Sequence, residues 1–158
     1  MVSRQAGSGR TGGNAIIAAR SSATRSLGRH RKTHLAIGLG IRACQAGHRV
    51  AFATAAEWVA RLAEAHAGGR LHAELTRLGR VPLVIIDEVG YIPFEAEAAN
   101  LFFQLVSSRY ERASLIVTSN KVFGRWGEVF GDDVAAAMID RLVHHAEVIS
   151  TNGTQSCN

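Results

Sequence analysis

The chain has 158 residues, 47% of them hydrophobic and only two of them prolines, so a single domain with a substantial core is expected. No apolar run approaches the ~18 residues of a membrane span, and the opening MVSRQAGSGRTGG has no apolar h-region, so the expectation is a cytoplasmic protein that makes no membrane contact. Cys44 and Cys157 form no zinc spacing, and the net charge of +5 is lopsided: residues 1–34 hold seven Arg/Lys and no Asp/Glu, residues 35–158 eleven basic and thirteen acidic residues.

Residues 1–31, rich in Gly, Ser, Ala and Arg, read as a basic segment without regular structure, with AIIAA as its one apolar patch. The domain is expected to start at Lys32. THLAIGLGIRACQAG reads as a helix with Leu35, Leu39 and Ala43 on one face and a stop at Gly47. RVAFAT, 49–54, is a short strand. AAEWVARLAEAHAGGRLHAELTRLGR is helical in two pieces broken at Gly68-Gly69, with Trp58, Leu62 and Ala65 as core. VPLVIIDE is a continuous apolar run ending in two acids, the pattern of a strand buried on both faces. FEAEAANLFFQLVSSRYER predicts an amphipathic helix whose apolar face carries Ala98, Leu101, Phe102 and Leu105. SLIVTSN is a second buried strand, 126–130 and 134–144 are short helices, AEVIS is a last strand, and 151–158 form a flexible tail. Strands alternating with helices predict an α/β domain with a parallel sheet.

Ligands of such sheets sit at the carboxyl ends of the strands, where Asp87-Glu88 and Ser119-Asn120 fall. Adjacent acids on an extended chain point to opposite faces and can take different tasks. Asp87 can hold a hydrated Mg2+ and Glu88 can polarise a water, or the pair is a strand end with a capping acid. Asn120 can orient a water or touch a terminal phosphate, or it is a turn residue. Arg141 suits phosphate by its planar fork, or it is a surface arginine paired with Asp140 or Glu147. Arg109 and Arg112 are further phosphate candidates in SSRYER, which reads as an exposed helix end. The histidines make no H-E-x-x-H and read as surface or capping residues.

Taken together, KTHLAIGLGIRACQAGHRVAFATAAEWVARL, the IDEVGY and TSN strand ends, and WGEVFGDDVAAAMIDRLVHHAEVI resemble the IstB family over about residues 32–149. These are AAA+ ATPase helpers of insertion-sequence transposases, similar to the helicase loader DnaC. The resemblance implies a three-layer P-loop NTPase fold over residues 32–150, with ATP and Mg2+ as cofactors. It implies that Lys32 neutralises the β- and γ-phosphates and that Thr33 and Asp87 ligate magnesium. Asp87 and Glu88 would form the Walker B pair, Asn120 the sensor, and Arg141 a finger reaching the nucleotide of a neighbouring copy. Such helpers assemble on DNA with ATP bound and present the target to a transposase.

The family's loop resembles G-P-x-G-x-G-K-T, whereas this chain reads Ser26-Leu27-Gly28-Arg29-His30-Arg31-Lys32-Thr33. Glycines let such a loop turn its N–H groups onto phosphate, so an inactive remnant is the alternative function. A displaced reading frame would account for residues 1–31: Arg29-His30-Arg31 encoded CGG-CAC-CGG spells Gly-Thr-Gly one base later. A small DNA-binding module built on the basic segment is a third reading.

Overall fold

The computed structural model of the chain describes residues 15–19, 29–144 and 146–150. The elements run β1 (Ala15–Ala19), α1 (Arg29–Gln45), β2 (Val50–Thr54), α2 (Ala55–Ala67), α3 (Leu71–Gly79), β3 (Leu83–Val89) and α4 (Ala96–Arg109). Then come β4 (Ser114–Ser119), a 3-10 turn (Phe123–Arg125), α5 (Gly127–Phe130), α6 (Asp132–Val143) and β5 (Ala146–Ser150).

All strand pairs are parallel, in the order β2-β3-β4-β1-β5. Right-handed crossovers then dictate the layers. The step from β1 to β2 runs along the sheet in the direction opposite to every later step. Among the described residues, α1 therefore covers one face by itself, against Leu83, Ile85 and Ile116. On the other face α2, α4, α5 and α6 bury Trp58, Leu62, Phe102, Leu105, Phe130 and Met138 against Val84, Ile86 and Val117.

Local sequence explains the joints. Thr54 and Glu57 form a capping box at the start of α2: the Glu57 N–H donates to Thr54 Oγ1 at 3.2 Å and the Thr54 N–H to Glu57 Oε2 at 2.8 Å. Phe94, Phe102, Phe130 and Trp126 pack ring to ring in that order, with ring centres 5.0 Å apart between the tilted pair Phe102 and Phe130, and so lock α4 to α5.

Three expectations change. β1 lies ahead of Lys32 and pairs with both β4 and β5, and α1 starts at Arg29, so the boundary expected at Lys32 cuts into the domain. The readings of a disordered or frame-displaced segment fall on 1–14 and 20–28, and that of a tail on 151–158, outside the described residues. On α1, Ala36 is buried and Leu39, Gly40 and Ala43 face the sheet, while Leu35 is 39% exposed. Gly40 lets the helix lie close over β3: a Cβ there would stand 3.0 Å from Ile85 Cδ1, which would have to give way.

The third change is Arg109, expected at an exposed helix end but 1% exposed. Its Nη1 donates to the Leu78 carbonyl at 2.7 Å, and its Nη2 donates to those of Val81 and Ser114 at 2.8 Å each. Burial pushes the guanidinium down to about 10, which leaves it charged at neutral pH. It ties the entries of β3 and β4 together at the sheet end opposite the two acids, and so is no phosphate ligand.

Candidate functional site

Strand ends and the first turns of α1 meet at the carboxyl edge of the sheet, beside the place where strand order reverses. β3 carries Asp87 there, 3% exposed among apolar neighbours. Thr33, in the second turn of α1, donates its hydroxyl to Asp87 Oδ2 at 2.9 Å. Lys32, one residue earlier and 4% exposed, runs along the sheet edge and its Nζ donates to the carbonyl of Ser119 on β4. Thr118 also donates to Asp87, at Oδ1.

Glu88 breaks the regular strand. Its φ is +62°, in the left-handed region, and the β3–β4 register shifts between Ile86 and Val89. The pair Asp87-Glu88 is thus not extended, and the expectation of opposite faces is corrected. The bulge turns the exposed Glu88 toward a hollow that it shares with Lys32, Tyr91, Thr118, Ser119 and Asn120. Asn120 follows β4, with its N–H on the Val89 carbonyl at 3.2 Å. Gly90, at φ +92°, makes room for it: a Cβ there would lie 2.7 Å from Asn120 Oδ1.

The hollow is small and opens to solvent, so it suits one end of a larger molecule and does not enclose a whole ligand. A buried ammonium beside it favours an oxyanion. The Thr33 hydroxyl and Asp87 carboxylate are hard oxygen donors of the kind Mg2+ takes. Among the described residues there is no group of three or more His, Cys, Asp or Glu able to cage a metal, so an ion here would need oxygens from its ligand and water.

Of the six residues the sequence singles out, five converge: Lys32, Thr33, Asp87, Glu88 and Asn120. Arg141 does not. On α6 its Nη1 donates to Ser107 Oγ and its guanidinium centre sits 4.5 Å from the Phe103 ring centre, so it pairs with α4 rather than with Asp140 or Glu147. Thr118 was missed, although a signal existed. Polar residues inside a buried strand need partners, and Thr118 stands two residues before Asn120, on the same strand face.

One feature departs from a phosphate loop. The first turn of α1 is made by Arg29, His30, Arg31 and Lys32 and contains no glycine.

The chain resembles known proteins over most of its length. An ATP-binding protein of insertion sequence IS21 from Pseudomonas aeruginosa is 49% identical over 123 residues, 77% of this chain and 46% of that protein. The chain thus spans about half the length of the curated relatives it matches. A DnaC helicase loader superposes with a TM-score of 0.70 at 17% identity, covering 90% of this chain and 80% of its own. AMPPCP-bound DnaA from Aquifex aeolicus gives 0.67 at 20% identity, over 87% of this chain and 40% of that one. These likenesses bear out the α/β P-loop NTPase (AAA+) fold with its central parallel sheet. No described helix is long and apolar enough to cross a membrane. The description "IstB-like ATP binding protein" matches residues 27–157, and the chain belongs to that family.

Proposed function

We propose that residues 15–150 form the nucleotide-binding unit of an insertion-sequence helper that binds ATP with Mg2+, hydrolyses it, and presents target DNA to a transposase. One observation carries the reading: Lys32, Glu88 and Asn120 line one hollow at the carboxyl edge of the sheet, and the hydrogen-bonded pair Thr33 and Asp87 is joined to it through Thr118. Lys32 neutralises the terminal phosphates, and Thr33 and Asp87 hold the ion, whose contribution is to offset charge on the phosphate oxygens. Glu88 orients the attacking water and Asn120 steadies it against the terminal phosphate. Such chemistry rests on positioning and charge, and these side chains supply both.

Arg141 lies outside its own chain's hollow, as a group serving a neighbouring copy's nucleotide must, and a homo-oligomer follows from that role. Seven Arg/Lys in residues 1–34 supply positive charge for DNA phosphates. Work on DNA beside a transposase puts the protein in the cytoplasm.

The start of α1 favours a second reading. Arg31 stands where the family resemblance expects glycine, and a chain whose loop cannot turn its N–H groups onto phosphate is a remnant that keeps the fold without the ligand. Calorimetric titration with ATP and magnesium separates the two. The first predicts saturable binding that Lys32→Ala abolishes; heat no different from dilution at millimolar ATP establishes the remnant.

A further inference from the structure

We infer that Thr118 is a positioning residue that sets the Glu88 bulge and couples it to Asp87; the inference rests on the proposed ATPase reading. In a regular strand Asp87 and Glu88 would face opposite sides of the sheet, which would turn Glu88 away from Lys32 and Thr118. The bulge removes that restriction at the expense of a left-handed backbone at a residue with a Cβ. Something outside β3 must hold that conformation.

Thr118 is placed to do so. Its hydroxyl accepts the Glu88 N–H at 3.0 Å and donates its own proton to Asp87 Oδ1. The direction is fixed, because an ionised carboxylate only accepts and a backbone N–H only donates. Thr118 is 3% exposed, so water does not readily replace it. One hydroxyl therefore orients the carboxylate assigned to the ion and pins the backbone of the residue assigned to the water. Ser119 adds the next stitch, donating from Oγ to the Val89 carbonyl at 3.0 Å, and the Asn120 N–H shares that carbonyl. The bulge on β3 is thus held from β4, the strand that also presents the sensor amide.

Thr118→Val removes the hydroxyl at nearly constant size, and Thr118→Ser keeps it. Two readouts are needed. Amide hydrogen exchange of the nucleotide-free protein is followed by NMR at Glu88, with Ile85 and Ile86 as controls. In Thr118→Val the Glu88 amide is expected to exchange about tenfold faster while the controls hold, and Thr118→Ser to match the parent. In ATP turnover, Thr118→Val is expected to lower kcat about 10–100-fold with KM nearly unchanged, the scale for groups that orient a ligating carboxylate. Should Thr118→Val not fold, Thr118→Cys, a weaker donor, carries the same comparison. Unchanged Glu88 exchange, or an equal rise at Glu88 and the controls, overturns the inference. So does a change in KM alone. If the parent binds no ATP but the Glu88 exchange difference appears, the ATPase reading has failed and the bulge-holding role stands.

Discussion

Arg109 shows how far one residue's role can lie from its sequence context. A buried guanidinium without a carboxylate needs acceptors, and here carbonyls 5 to 31 residues away take protons from both terminal nitrogens while Nε is left without a partner. Nothing in SSRYER points to those carbonyls, so the pattern suggested a solvated helix end. Arg109→Met should lower unfolding stability by about 3 kcal/mol, since both the charge-assisted bonds and the carbonyls' partners are lost. Urea denaturation reads this, and Arg109→Lys should recover less than half. At the other end of the sheet, Gly90→Ala forces a side chain into φ +92° and against Asn120. Turnover should fall more than about tenfold, and the ~1–2 kcal/mol of backbone strain should lower the urea midpoint as well. Near the same loop, hydrogen bonds from Arg125 and then Lys121 hold the Glu128 carboxylate down to about 2. Its folded pKa lies below the unfolded value. The linked stability is therefore present above the unfolded value and is lost as pH falls through about 2. The pair is exposed, so the effect is small and salt-sensitive. NMR titration of Glu128 should give a midpoint near 2, moving to the ordinary carboxylate range in Arg125→Ala, Lys121→Ala.

Elements were more legible than residues where a period is strong. VPLVIIDE and SLIVTSN are apolar runs of strand length, and both are buried strands. Trp58, Leu62 and Ala65 repeat at helical spacing and are buried on α2. The Glu88 bulge was not legible, because its cause is a hydroxyl on another strand and no local propensity records it. On α1, Leu39 and Ala43 face the sheet as expected, and only Leu35 was misplaced. Leu35, Leu39 and Ala43 make an apolar stripe, but how closely a helix lies on a sheet is set by its smallest residue, here Gly40. The capping box at α2 is a local device whose worth can be measured alone. Thr54→Ala should cost about 1 kcal/mol in thermal or urea unfolding.

At the scale of the molecule, β1 is the least sequence-evident element and among the most consequential. AIIAA is five residues, three of them alanine, in a run of Gly, Ser and Arg, and a local reading gives it little strand character. Its place between β4 and β5 comes from pairing on both edges, which only the assembled sheet reveals. A chain starting at Lys32 loses the strand that joins β5 to the rest. It should give no cooperative thermal transition, whereas the full chain should melt cooperatively by circular dichroism. The account as a whole depends on a phosphate and an ion meeting between α1, β3 and β4. A crystal of the full chain grown with a non-hydrolysable ATP analogue and Mn2+ tests this directly. The account predicts an anomalous peak within ligand distance of Thr33 Oγ1 and an Asp87 oxygen, with phosphate density against Lys32 Nζ. Nucleotide bound elsewhere, or millimolar analogue leaving that hollow without density, would contradict it.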